Sequence, residues 1–346
     1  MASKIVCPTC SSKSVKKAGI KKRKLQDLQR YFCNTCQKTF TLQPAKYKTY
    51  SITTTLKAIS LYNLGNSQTE IQSLLKTNSK PSQKTISNWI QEYKDLTAFS
   101  RLRKELKNYK DRDIMEQHTF LHNNLPYKFQ VHNFKLNLLT ENNEKFQRIK
   151  QYLERIPTKE FPHHIFKPDY HLEQKSDRAS QSSFKTLNVM PLQKQNLANR
   201  LTSLALNLAR TNKYRHLAVQ DFMLTNDSTT IATEVPIYLT HDDLLYFNSR
   251  NFNLNPEDFN TPITGHIDIL QIRNNLIHIL DYKPKADKIN PIEQLTIYAL
   301  ALASKTKLPL TLFKTAWFDE KNYYEFFPLH CVYKKHEKLF KYQKLV

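Results

Sequence analysis

The chain has 346 residues and a formal net charge of +23, from 53 Lys and Arg against 30 Asp and Glu. That length holds two or three domains with at least one full-sized core, and that charge points to a polyanionic partner. With glycine only at Gly19, Gly65 and Gly265, there is no Gly-rich phosphate loop and no dinucleotide fingerprint, which argues against an ATPase or a dehydrogenase.

The charge is lopsided. Residues 1–110 carry 22 Lys and Arg against 5 Asp and Glu, so +17 of the excess lies in the first third. A general lysine-rich composition would not gather at one end, and DNA is the expected partner. No apolar run is long enough to span a bilayer, and no signal-peptide core follows the N-terminal Met-Ala-Ser-Lys. Four of the five cysteines form two tight pairs, which suits metal binding in a reducing compartment better than disulfides. The expected location is therefore cytoplasmic. Four segments follow from these patterns: residues 1–46, 47–97, 98–190 and 191–346.

In the first segment Cys7-Pro8-Thr9-Cys10 and Cys33-Asn34-Thr35-Cys36 are separated by 22 residues. Each knuckle presents two thiolates on one tight turn, and the two together complete a tetrahedral structural zinc site with no open position for catalysis. The segment is too small for a core of its own, so metal binding supplies its folding energy. Between the knuckles lie Lys21, Lys22, Arg23, Lys24 and Arg30, a basic hairpin expected to touch DNA. This arrangement resembles the zinc ribbons that open many bacterial and archaeal transposases.

Residues 50–95 predict three helices. The first has an apolar face of Ile52, Leu56, Ile59 and Leu61 and ends at Leu64-Gly65-Asn66. Ser67 and Glu70 form a capping box for the second, which buries Ile71, Leu74 and Leu75. The third starts near Ser82, turns Thr85, Ile86, Trp89 and Ile90 inward, and exposes Gln83, Lys84, Ser87, Asn88 and Gln91. Those polar groups suit base edges and phosphates. The pattern resembles the helix-turn-helix of transposase and resolvase heads.

Residues 98–190 say least. Arg101 to Lys110 predicts a basic helix, Tyr127 to Leu136 an alternating strand, and residues 144–155 a helix. The stretch from Pro157 to Phe184 reads as a loop or linker, and its His163, His164 and His171 as ordinary loop histidines.

The last segment has a firmer pattern. Asn196 to Leu224 predicts one helix containing His216, and Ile231–Leu239 a strand containing Glu234. Ile263–Ile272 and Leu276–Tyr282 form a hairpin across Asn274-Asn275, since asparagine tolerates the left-handed region. A helix opens at Pro291 and runs to about Lys305, and strands over 310–318 and Tyr323–Phe327 finish the unit. Asp268 and Asp281 each interrupt a run of apolar residues, and a lone buried carboxylate costs several kcal/mol. Two such acids on paired strands suit Mg²⁺ or Mn²⁺. Lys283 lies on the same side of its strand as Asp281, placed to orient a water or stabilise a phosphorane. Gln294 and Tyr298 lie one helical turn apart. The aromatic residues from Trp317 to Phe327 read as core packing.

The layout of Gly265-His266-Ile267-Asp268, twelve residues, Asp281-Tyr282-Lys283 and Q-x-x-x-Y resembles the PD-(D/E)XK nucleases, closest to the RecB-like branch. The resemblance spans roughly residues 195–330. It implies an α/β fold with an αβββαβ restriction-endonuclease-like core, preceded by a small zinc ribbon and an all-α helix-turn-helix domain. It also implies catalysis by Asp268, Asp281, Lys283, Gln294 and Tyr298, and a Mg²⁺ or Mn²⁺ ion held by His216, Glu234, Asp268 and Asp281. The four-cysteine iron–sulfur cluster of RecB-like nucleases in CRISPR systems cannot form with only Cys331 in the tail. The expected activity is a metal-dependent DNA endonuclease, with a homodimer as a reasonable state. The alternatives are a transposase or recombinase using the same site, and a DNA-binding regulator with an inactive nuclease fold.

Overall fold

A computed structural model describes residues 5–7, 9–10, 12–21, 28–41, 50–77, 79–96, 106, 114–122, 125–158, 177–180, 186–209, 211–259 and 262–333. The chain divides into two compact units, Met1–Ala98 and Phe99–Val346.

In the first unit β1 (Val15–Lys21), β2 (Leu28–Cys33) and β3 (Thr39–Thr41) form an antiparallel sheet in that order. Three helices follow, α1 (Ile52–Asn63), α2 (Gln68–Leu74) and α3 (Gln83–Glu92), each opened by a serine N-cap at Ser51, Ser67 and Ser82. The Ser67–Glu70 capping box is present. Leu56, Ile59, Ile71, Leu75, Ile86 and Trp89 are buried. Leu74, expected inside, is 51% exposed. The helix stops there and Leu75 takes an extended conformation, so Leu75 turns inward in its place.

The second unit is a mixed α/β structure built on one large sheet. Its elements are β4 (Met115–His122), β5 (Leu125–His132), α4 (Asn133–Thr140), α5 (Glu144–Glu154), β6 (Asp177–Arg178), β7 (Leu192–Lys194), α6 (Leu197–Ala205), α7 (Arg215–Asn226), β8 (Thr230–Leu239), α8 (His241–Ser249), β9 (Ile263–Arg273), β10 (Leu276–Tyr282), α9 (Ile292–Thr306), β11 (Phe313–Phe318), β12 (Tyr323–Phe326) and α10 (Leu329–Val332). The strand order is β4-β5-β8-β9-β10-β11-β12-β7, with β6 beside β9. Pairing is antiparallel except for β10–β11 and β6–β9. The β9–β10 turn is the anticipated one, with Asn274 and Asn275 both left-handed at φ 51° and 58°, the geometry a two-residue hairpin with right-handed twist requires. Helix α9 is buried on almost every side, which explains its long run of Ala and Leu.

Three expectations change. The strand expected from Tyr127 to Leu136 ends at His132, whose side chain accepts a bond from Lys135 N and opens α4, so Phe134 and Leu136 are helical. The single helix expected over Asn196–Leu224 is two, because Asn207 donates to the carbonyls of Ser203 and Leu204 and closes the first. The region expected as a connector supplies β4 and β5 to the main sheet, with Phe129, Val131 and Phe146 in the main core. Fully buried Lys135 from this region donates Nζ to the carbonyls of Leu224 and Asp227, the latter at 2.7 Å, at the C-terminal end of α7. Most of Arg101–Lys110 and the three loop histidines lie outside the described residues.

Candidate functional site

Register sets up the site. The β9–β10 pairs run to Leu280 opposite Ile269, and one further step sets Asp281 across from Asp268. The flanking pairs Thr233–Ile269 and Val235–Ile267 set Glu234 across from Asp268 on the other side. Three acids thus lie in a row across three neighbouring strands, and directly opposed residues share a face. Glu234 has φ 50°, a left-handed conformation rare for a non-glycine residue and common at functional sites.

The row is crowded with charge. Burial pushes the Asp281 carboxyl well above the usual range, and Asp268 pushes it further. Asp268 rises to about 6, first through burial and then through Glu234. Glu234 rises to about 7 through burial, with Asp281 adding to the shift although a bond from Gln220 opposes it. Asp268 and Asp281 interact closely enough that having both ionised is disfavoured when no cation lies between them.

Several groups surround the row. Tyr282 N donates to Asp268 Oδ2 at 3.2 Å, and Gln220 Nε2 donates to Glu234 Oε1 at 2.7 Å. His266 Nδ1 is 3.7 Å from Glu234 Oε2. Lys283 Nζ is 2.9 Å from Asp281 Oδ2. Burial opposes its charge, but Asp281 and Asp268 outweigh that effect and raise its pKa. His216, in the first turn of α7, bonds the backbone of Tyr282 and senses both Asp281 and Lys283, while burial keeps its pKa low. On α9, Gln294 Nε2 donates to the Tyr298 hydroxyl at 2.7 Å. Burial and then Asp281 raise the pKa of that phenol. The structure therefore brings His216, Glu234, Asp268, Asp281, Lys283, Gln294 and Tyr298 into one neighbourhood.

The donor set suits a hard divalent cation. Asp281 Oδ2 is buried and lies 2.9 Å from the Lys283 ammonium. Three desolvated carboxyl groups face one ammonium here, and an oxygen-seeking divalent ion such as Mg²⁺ is the chemistry that offsets that excess of acid. Sequence reasoning assigned no role to Gln220, and it used Gly265 and His266 only as part of the run leading to Asp268. Gln220 lies one helical turn after His216, and that i, i+4 spacing was its only visible signal. Gly265 sits against the Tyr298 ring, where an added Cβ would be 2.5 Å from Cε1. His266 carried no signal beyond its place beside Asp268.

The first unit holds a second site. Cys7 Sγ is 3.6 Å from Cys36 Sγ, and Cys10 Sγ is 3.5 Å from Cys33 Sγ. All four sulfurs lie within 4.8 Å of one another. Tetrahedral zinc with bonds near 2.3 Å needs sulfurs about 3.8 Å apart, so these four can hold one ion. Neighbouring thiols in the cluster shift in opposite directions. Cys33 falls, led by the Cys36 backbone N–H, while Cys10, despite the Ser12 N–H, rises through burial and its sulfur neighbours, as expected of thiols packed where a cation would neutralise them. Among the described residues, this is the one group of three or more His, Cys, Asp or Glu ligands that converges so closely. The acids of the second unit remain drawn toward Tyr282, Gln220 and Lys283.

The expected DNA-contacting residues divide. Gln83, Lys84 and Asn88 are exposed on α3, but Ser87 is half-buried. Gln83 also donates to Thr69 Oγ1 at 2.8 Å, tying α3 to α2. Arg30 is exposed while its Nε donates to the Ala18 carbonyl at 3.0 Å. Lys21 ends β1, and Lys22, Arg23 and Lys24 lie outside the described residues. Trp317, Phe318, Tyr323 and Phe326 are buried, in keeping with core packing. Among the described residues, no helix is long and apolar enough to cross a membrane. Comparisons with protein-family models, with curated proteins and with solved structures give no match to this chain.

Proposed function

We propose that the protein is a divalent-metal-dependent DNA endonuclease of the PD-(D/E)XK type, brought to its substrate by a zinc ribbon and helix-turn-helix. The observation that carries this reading is the row Glu234–Asp268–Asp281, three desolvated carboxyl groups with Lys283 at its end. The succession α7, β8, β9, β10, α9, β11, with α8 inserted between β8 and β9 and with β10 and β11 parallel, supports a restriction-endonuclease-like core. The basic first unit supports a DNA substrate.

In this reading Asp268 and Asp281 hold Mg²⁺ or Mn²⁺, with His216 and Glu234 completing the set. Such an ion, when bound, acidifies a water and offsets charge on the scissile phosphate. Lys283 does the rest of the local work, holding the attacking water by its ammonium and countering charge on the pentavalent phosphorus. Gln294 fixes the Tyr298 hydroxyl, and the pair holds the phosphate oxygens in line. Gln220 keeps the Glu234 carboxylate turned into the row.

The test is supercoiled plasmid with Mg²⁺ or Mn²⁺, using wild type, Asp281→Ala and Lys283→Ala. Nicking by wild type, reduced at least 100-fold in both variants, is expected. Equal silence from all three, with DNA binding retained, would leave a DNA-binding regulator. Joining of cut ends into a second plasmid would make the protein a recombinase with the same site.

A further inference from the structure

We infer that the β1–β2 hairpin is a wedge for duplex DNA, with Ile20 inserted between base pairs and the surrounding lysines seated on phosphates. The inference rests on the reading of the first unit as a DNA-binding head. Lys17 pairs with Tyr31 and Ile20 pairs with Gln29, so Ala18 and Gly19 together oppose the single residue Arg30. This is a β-bulge, and Gly19 supplies the left-handed φ of 77° that it needs. Two side chains fasten the bulge. Arg30 Nε donates to the Ala18 carbonyl at 3.0 Å, and Gln29 Nε2 donates to the Gly19 carbonyl at 2.9 Å.

The bulge leaves Ile20 63% exposed. A single exposed isoleucine is unremarkable on most surfaces. Here it stands in a hairpin with exposed Lys16 and Lys17, and exposed Lys13 lies two residues before its first strand. These cations suit a polyanionic surface, and the helix-turn-helix pattern that follows in the same unit favours duplex DNA as that surface. Proteins that kink DNA use this combination, an apolar side chain entering a base step while cations grip the flanking backbone. Arg30 accordingly acts through the bulge and positions Ile20, besides any phosphate contact from its free guanidinium nitrogens.

The test uses the full-length, zinc-loaded protein with no other divalent ion added, a duplex labelled at both ends, and the matching single strand. Wild type is expected to bind the duplex with a steep salt dependence and to shorten the end-to-end distance by energy transfer. Ile20→Ala should weaken duplex binding about tenfold and abolish the shortening, with zinc content and salt slope unchanged. Ile20→Lys is the sharper variant. Electrostatics alone would make it bind tighter, whereas loss of the wedge makes it bind the duplex more weakly despite the added charge. Lys16→Ala with Lys17→Ala should lower the salt slope by about 2. Wild-type binding and bending that Ile20→Ala leaves intact, or tighter duplex binding by Ile20→Lys, overturns the wedge alone. No salt-dependent DNA binding by wild type overturns the DNA-binding head and the wedge with it.

Discussion

Substituting Gly265 by alanine tests how the row of acids and the Q-x-x-x-Y helix are fitted together. The new Cβ would lie 2.5 Å from Tyr298 Cε1 and 3.3 Å from Cζ, so the ring must retreat by about 1 Å to reach ordinary contact. Gly265 has no positive φ, so alanine adds no backbone strain and the whole effect is steric. Tyr298 is only 6% exposed and sits in the middle of a buried helix, which closes easy escape routes. Overpacking of this kind costs about 1–3 kcal/mol, or roughly 2–12 °C in Tm for a unit of this size. Moving the phenol also disturbs the 2.7 Å bond from Gln294, and a misplacement of about 1 Å near a reacting centre costs on the order of 100-fold in rate. The assay is thermal melting with plasmid nicking, repeated in a Tyr298→Ala background. There the ring is gone, and Gly265→Ala should cost almost nothing further. A Gly265→Ala protein that melts like wild type, or a penalty that persists undiminished without the ring, refutes the reasoning.

The carboxyl row sets a pH dependence of stability. Asp268 and Glu234 titrate near 6 and 7 in the fold, above their unfolded values near 4, so the folded state holds extra protons between these limits. Their contribution is therefore complete below about pH 4 and lost as pH rises through 6 to 7, on the order of 3 kcal/mol for each. Calorimetry without added Mg²⁺ should show Tm falling over that window. Mg²⁺ should restore Tm at pH 8 and do little at pH 5, while Asp281→Asn should raise the metal-free Tm at pH 8; a flat profile contradicts the crowding of these charges. The four-cysteine site predicts one zinc per chain and about none in Cys33→Ser, with the N-terminal ribbon becoming open to trypsin while the melting of the second unit is unchanged. Full zinc content in that variant, read by metal analysis, would rule out a tetrahedral site at these four sulfurs.

Local rules were legible where local chemistry decides. The Asn274-Asn275 turn, the Ser67–Glu70 box and the paired-cysteine knuckles each act within a few residues, and each is present. Asp268 and Asp281 were visible because charge inside an apolar strand is conspicuous, and Lys283 because it follows Asp281 by two residues, just past the end of β10. What could not be read depends on distant partners. Glu234 takes a left-handed conformation that nothing in its neighbours announces, and Gln220 matters only because β8 brings Glu234 within reach. The role of β4 and β5 was hidden for the same reason: a strand's polar alternation does not say which sheet it joins. Leu74 failed differently, since periodicity alone does not show that a two-turn helix stops before its last leucine can turn inward.

Lys135 has a further implication for anyone dissecting the molecule. Helix α7 carries His216 and Gln220, and the carbonyls at its far end are held by an ammonium from residue 135. The edge of β8 beyond Glu234's row is likewise covered by β5. A fragment cut near residue 190 would bare both that edge and those carbonyls, inviting strand-to-strand association between copies. The portable unit for transplantation or fusion therefore has to start upstream of Met115, however self-sufficient the nuclease-like motifs look on paper.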